Sequence, residues 1–125
     1  MSVRKGAKPS NTRSNDPQLR ALLAALAHIY ATNSAMTLPQ VLIALEVLCA
    51  EQRGEPHTLV SLVQKLEMPF STASRIVWSL TAEGGEGIDL VKYMPHPSDR
   101  RKKLLVTSSS RFFNSVSRVM DRSLR

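Results

Sequence analysis

Cysteine is almost missing. Cys49 is the one thiol among 125 residues, so no disulfide can close within the chain, and a reducing compartment, the cytoplasm, is expected. No apolar run approaches the ~20 residues of a membrane span, and the opening Met-Ser-Val-Arg-Lys-Gly-Ala-Lys lacks the apolar core of a signal peptide. Aromatic residues are scarce, 5% against 42% for all apolar types. Leu, Val, Ile and Ala must therefore build the core, as in many helical domains, and the length suits one such core rather than two. Catalytic constellations are missing too. Gly84-Gly85-Glu86-Gly87 puts an acid where a phosphate-binding loop would hold its anion, and no Ser or Cys nucleophile has an evident base and orienting acid. His28, His57 and His96 do not have the spacing of a metal site. Neither an enzyme nor a metal or other cofactor is expected.

Acidic residues are rare at both ends. Residues 1–13 carry Arg4, Lys5, Lys8 and Arg13 without an acid, residues 14–90 carry four basic and eight acidic side chains, and residues 91–125 carry nine basic and two acidic ones. The net charge of +7 thus lies in basic ends around a mildly acidic body, the pattern of an oriented polyanion site.

Residues 1–14 mix Lys, Arg, Ser, Asn, Gly and Pro without periodicity and read as a basic arm, disordered when free, that either follows phosphates or slips into a minor groove, or else stays solvated with no role. The segment 15–36 holds the first helix. Asp16 suits its cap and Pro17 its first position, and Leu19, Leu22, Leu23 and Leu26, with Ile29 or Tyr30, form an apolar stripe. Thr37 and Gln40 have capping-box spacing and open a second helix reaching about Gln52, apolar on nearly every side and expected to be the buried central strut. Cys49 lies within it and is expected to act as a small core hydrophobe.

Thr58 caps a third helix, Leu59 to Leu66, that buries Leu59, Leu62, Val63 and Leu66. A break at Glu67-Met68-Pro69-Phe70 leads to a fourth, from near Ser71 to about Ala82, burying Ala73, Ile76, Val77 and Leu80 and presenting Ser71, Ser74, Arg75, Trp78 and Ser79 outward. Ser71 doubles as a candidate cap, and Trp78 is expected either to pack against the hairpin that follows, the favoured reading, or to touch a nucleic-acid backbone. Surface helices usually carry several Glu and Lys. This one offers small hydroxyls and one Arg, which permit close approach to another surface, and its diameter suits the ~12 Å major groove of B-DNA. Ser71, Thr72, Ser74 and Ser79 are candidate hydrogen-bond donors to phosphates and base edges. Arg75 is a candidate base or phosphate contact, or else a partner for an acid such as Asp99. Next come a β-rich stretch, Ile88 to Met94, turn chemistry at Pro95-His96-Pro97-Ser98-Asp99, and a returning strand, Arg101 to Thr107. His57-Thr58 is a candidate third strand. The tip gathers Arg100, Arg101, Lys102 and Lys103 around Asp99. Segment 108–125 forms a last helix, with Phe112, Phe113, Val116, Val119, Met120 and Leu124 at helical spacing and arginines on its other faces.

The order of these pieces over Thr37 to Thr107, a helix-turn-helix, a Gly-rich bend, a strand, Asp99-Arg100-Arg101 and a strand ending Leu-Val-Thr, resembles the MarR-type winged-helix transcription regulators. Ser74-Arg75-Ile76-Val77 with Leu80, and the Asp-x-Arg of Asp99 and Arg101, carry the likeness. Two features depart from the family pattern: the long Gly84–Gly87 connection, and Ser108-Ser109-Ser110 where the family has a Thr-x-x-Gly bend. The resemblance implies a mainly α fold with a small β wing, a DNA-binding domain at 37–107, and a homodimer held through the first and last helices, with Leu19, Leu22, Leu23, Leu26, Phe112, Val116, Val119 and Met120 as interface candidates. It further implies that the helix from Ser71 reads the major groove while Arg101, steadied by Asp99, enters the minor groove. The expected role is a sequence-specific double-stranded DNA-binding regulator, a repressor. A small aromatic ligand is a further partner that the family suggests, though no residues mark its pocket. Two alternatives stay open: a winged-helix module that binds polymerase or another regulator, and a replication or partition protein that uses the fold at an origin.

Overall fold

The computed structural model describes residues 16–124; the basic arm proposed for residues 1–14 lies outside them. The elements run α1 (Pro17–Thr32), α2 (Leu38–Gln52), α3 (Leu59–Leu66), α4 (Phe70–Ser79), a 3₁₀ turn (Ala82–Gly84), β1 (Val91–Pro95), β2 (Lys103–Thr107) and α5 (Arg111–Leu124). This is a mainly helical winged helix-turn-helix with a two-stranded antiparallel wing. Among the described residues no helix is long and apolar enough to cross a membrane. Two compact units form, one of residues 37–110 and the other of α1 and α5.

Local chemistry sets most of the boundaries. Asp16 accepts from the Gln18 amide at 2.9 Å and Pro17 takes the first helical position of α1. Thr37 and Gln40 close a reciprocal capping box on α2, and Thr58 and Ser61 close another on α3, each satisfying two amides that would otherwise be orphaned. Glu67 ends α3 in the left-handed region, φ 53°. That conformation costs an L-residue about 1 kcal/mol, and it turns the chain into Pro69 and α4.

In the larger unit, Val41, Ile43, Ala44, Val47 and Ala50 of α2 meet Leu62 of α3, Ala73, Val77 and Leu80 of and after α4, and Leu90, Val91, Leu105 and Val106 of the wing root, all buried. Burial at about 25 cal/mol per Å² of apolar surface is the main force holding them together. The central strut is less enclosed than its composition implied: Leu38, Leu42, Leu45 and Cys49 are exposed along one side of α2. Cys49 is therefore not a core residue. Apolar composition on all sides does not guarantee burial on all sides, because the neighbours cover only the Val41–Ala44–Val47 side.

In the smaller unit α1 packs on α5. The contact uses Ala21, Ala25 and Ile29 of α1 with Phe113 and Val116 of α5, all buried, and His28 Nε2 meets Ser115 Oγ at 2.9 Å. Small side chains let the two helices approach closely. As a result Leu19, Leu22, Leu23, Leu26 and Tyr30 stay exposed, and the inward stripe of α1 is the alanine one rather than the leucine one. Val116 is consumed inside the chain, while Phe112, Val119 and Met120 are half-buried.

Candidate nucleic-acid interface

The wing is shorter than its β-rich sequence. β1 and β2 pair from Val91 with Thr107 to Pro95 with Lys103. Ile88 to Leu90 do not join, because Gly85, Gly87 and Asp89 have positive φ and curl the chain, and the Leu90 and Val91 amides both bond to Leu80 O, at 2.8 and 3.1 Å. The wing root is thereby tied to the end of α4. It is tied to α2 as well, where Glu51 Oε1 accepts from both the amide and the hydroxyl of Thr107 at 2.9 Å. His57 forms no strand; it contributes one carbonyl, accepting from Leu105 N at 2.7 Å.

At the tip the His96 amide donates to Lys102 O at 3.2 Å and the Lys102 amide to Asp99 O at 3.0 Å. Asp99 Oδ1 accepts from the Arg101 amide at 3.0 Å and lies 3.6 Å from Arg101 Nε. One carboxylate thus sets both the backbone and the side chain of Arg101, whose side chain is 93% exposed. Arg100, Lys102 and Lys103 are exposed around it.

α4 begins one residue earlier than its sequence suggested and ends three earlier, since Leu80 takes its C-cap and Ala82 falls in the 3₁₀ turn. Pro69 occupies the N-cap with no side-chain bond, so Ser71 is not the cap. Ser71 and Arg75 are exposed, while Thr72 and Ser74 flank them half-buried. Arg75 has no ion pair among the described residues, with Asp99 or any other acid. One further expectation for this helix fails. Ser79 is buried at 9% exposure: its hydroxyl donates to Ile76 O at 2.6 Å and accepts from Gln40 Nε2 at 3.0 Å, so it does not face outward. Trp78 stands 51% exposed.

Behind α4 the buried Gln40 side chain joins three elements. Its Oε1 accepts from Thr37 N at 2.8 Å, and its Nε2 donates to Ser79 and, at 3.1 Å, to Glu86 Oε1. Gly84 presses against the same helix end: a Cβ there would lie 2.3 Å from Trp78 O, which only glycine permits. A second polar group braces α3. His57 bridges Ser61 Oγ and Glu46 Oε2, 2.8 Å to each, and Glu46 also pairs with Arg53 at 3.2 Å. The hydrogen bond from His57 holds the Glu46 carboxyl below its ordinary value, against the opposing effect of burial and with help from Arg53.

A cavity of about 570 Å³ opens between helix-turn-helix and wing, lined by Thr58, Leu59, Val60, Ser61 and Gln64 of the first turns of α3, by Phe70 at the start of α4, and by Tyr93, Arg101, Lys102 and Lys103 of the wing. Partial burial in this surface raises the Tyr93 phenol above its ordinary value. The beginning of α4 and the cationic tip therefore border one concave surface. The contribution of α3, and of Phe70 at what the sequence marks as the inter-helix break, is not among the sequence-based expectations. An aromatic directly after Pro69 was the available signal.

No family model matches the chain, and no curated protein is significantly similar to it. Solved structures are similar. RV1404 from Mycobacterium tuberculosis aligns at 27% identity and a TM-score of 0.58, covering 95% of this chain and 76% of that one. The transcriptional regulator Tm0710 from Thermotoga maritima aligns at 18% identity and 0.58, covering 91% and 68%. Wild-type MarR from E. coli aligns at 14% and 0.54, covering 94% and 76%.

Proposed function

We propose that this chain, a winged helix-turn-helix of the MarR type, binds duplex DNA as a homodimer and represses transcription by occupying a promoter. The observation that carries the reading is the shared border of α4 and the wing tip: Phe70 and the cations Arg101, Lys102 and Lys103 line one cavity, so a ligand broad enough to meet one meets the other. A duplex is such a ligand.

In this reading α4, ten residues and about 15 Å long, lies in the major groove with Ser71 and Arg75 toward base edges and Thr72 and Ser74 toward its walls. Arg101, held by Asp99, enters the minor groove, where a narrow, electronegative cleft favours a guanidinium. Arg100, Lys102 and Lys103 meet phosphates and displace counterions. The exposed leucines of α1 supply the dimer contact, since an apolar ridge of that size is costly on a monomer.

The test is selection of duplexes from a random library by the purified protein. The reading expects a pseudo-palindrome with half-sites roughly 34 to 36 Å apart. Recovery of no enriched sequence would count against it.

A further inference from the structure

We infer that Trp78 is a specificity-determining residue that contacts a thymine methyl group on the floor of the major groove. The inference rests on the DNA-binding reading above. Trp78 follows Ser71 by seven residues, about two turns, and Arg75 lies between them, so the three form one ridge along the exposed centre of α4. Thr72 and Ser74 lie to either side of that ridge, half-buried. In a groove the flanks face the sugar-phosphate walls and the central ridge faces base edges.

An indole at that position is unusual chemistry for a water-facing helix. It is 51% exposed and has no aromatic or cation–π partner among the described residues. Gly84, close under the Trp78 carbonyl, and the Thr81 hydroxyl, which donates to that carbonyl at 2.7 Å, fix the backbone that carries it. The side chain therefore projects from a fixed stretch of backbone. In the major groove nearly every base-edge group is a hydrogen-bond donor or acceptor; the apolar one is the C5-methyl of thymine. A large apolar ring placed among those edges gains most by covering that methyl.

The chain has one tryptophan, so its emission reports on this side chain alone. The experiment titrates wild-type protein with the best duplex from the library selection, and with copies in which each half-site thymine is replaced by uracil, which removes only the methyl. Expected are a change in Trp emission on binding, a roughly fourfold weaker affinity at one thymine position when its methyl is lost, and disappearance of that difference in Trp78→Ala, whose fold is checked by circular dichroism. Trp78→Phe should retain part of the discrimination. Binding with unchanged emission, or with equal affinity for every uracil copy, overturns the inference and leaves the DNA reading standing. Emission change without any thymine-uracil difference assigns the indole to the backbone and also overturns it. Absence of binding to any duplex overturns both.

Discussion

Replacing Gln40 with leucine should weaken the larger unit far more than a change of one surface-like residue near a helix start suggests. The side chain is 5% exposed and makes three hydrogen bonds, to Thr37 N, Ser79 Oγ and Glu86 Oε1. Losing its half of the capping box costs up to about 1 kcal/mol. Leaving the buried Ser79 oxygen without its donor costs about 1 kcal/mol, at the low end because that hydroxyl keeps its bond to Ile76 O. The bond to Glu86 is near solvent and adds a few tenths. Leucine recovers part of this through apolar burial, for a net loss of about 1 to 2 kcal/mol, or roughly 4 to 16 °C in Tm for a unit of this size. Thermal melts followed by far-ultraviolet circular dichroism read the shift. A double-mutant cycle with Ser79→Ala locates it, since Ser79→Ala should cost much less in the Gln40→Leu background than in the wild type. A melting point for Gln40→Leu within about 2 °C of wild type, or strictly additive losses, would show that the Gln40 bonds do not brace this unit.

Gly84→Ala places a methyl 2.3 Å from Trp78 O and 2.9 Å from Ser79 Cα, so it should destabilise by about 1 to 3 kcal/mol in denaturant titration. Because the Glu46 carboxyl is held below its ordinary value of 4.5, its contribution to stability is present above that pH and is lost as the pH falls through the lowered folded value. Glu46→Gln should accordingly be less stable near neutrality and show a flatter loss of stability in acid, seen by urea melts from about pH 3 to 7. Arg101→Ala should leave the melting point unchanged, since the side chain is exposed, yet weaken binding to selected and unrelated duplexes alike in anisotropy titrations. Leu22→Glu with Leu26→Glu should convert a dimer to a monomer in analytical ultracentrifugation without loss of helicity, because neither side chain is buried in the single chain.

The helices were legible in the sequence because their ends are local chemistry. Asp16-Pro17, Thr37 with Gln40, and Thr58 each satisfy nearby amides, and the Pro95–Asp99 turn folds the wing back on itself. What was not legible depends on residues far apart in the chain. Ser79 faces inward because Gln40, from the second helix, reaches it. Cys49 is exposed because nothing from the larger unit covers that side of α2. β1 starts late because Leu80 O captures the Leu90 and Val91 amides. At the candidate interface, hairpin chemistry foretold the bond between Asp99 and Arg101. No periodicity announced that the first turn of α3 and Phe70 would share a concave wall with the wing, since that depends on how α3, α4 and the strands pack.

In the DNA-binding reading, α4 and the wing tip together grip a charged double helix. The most direct test of this grip is the salt dependence of binding to the selected duplex. With Arg100, Lys102 and Lys103 of each subunit on phosphates, roughly six contacts per dimer, log affinity should fall against log salt with a slope near −5, about a thousandfold loss between about 50 and 200 mM. A slope near zero, or no binding at low salt, would rule out such a grip.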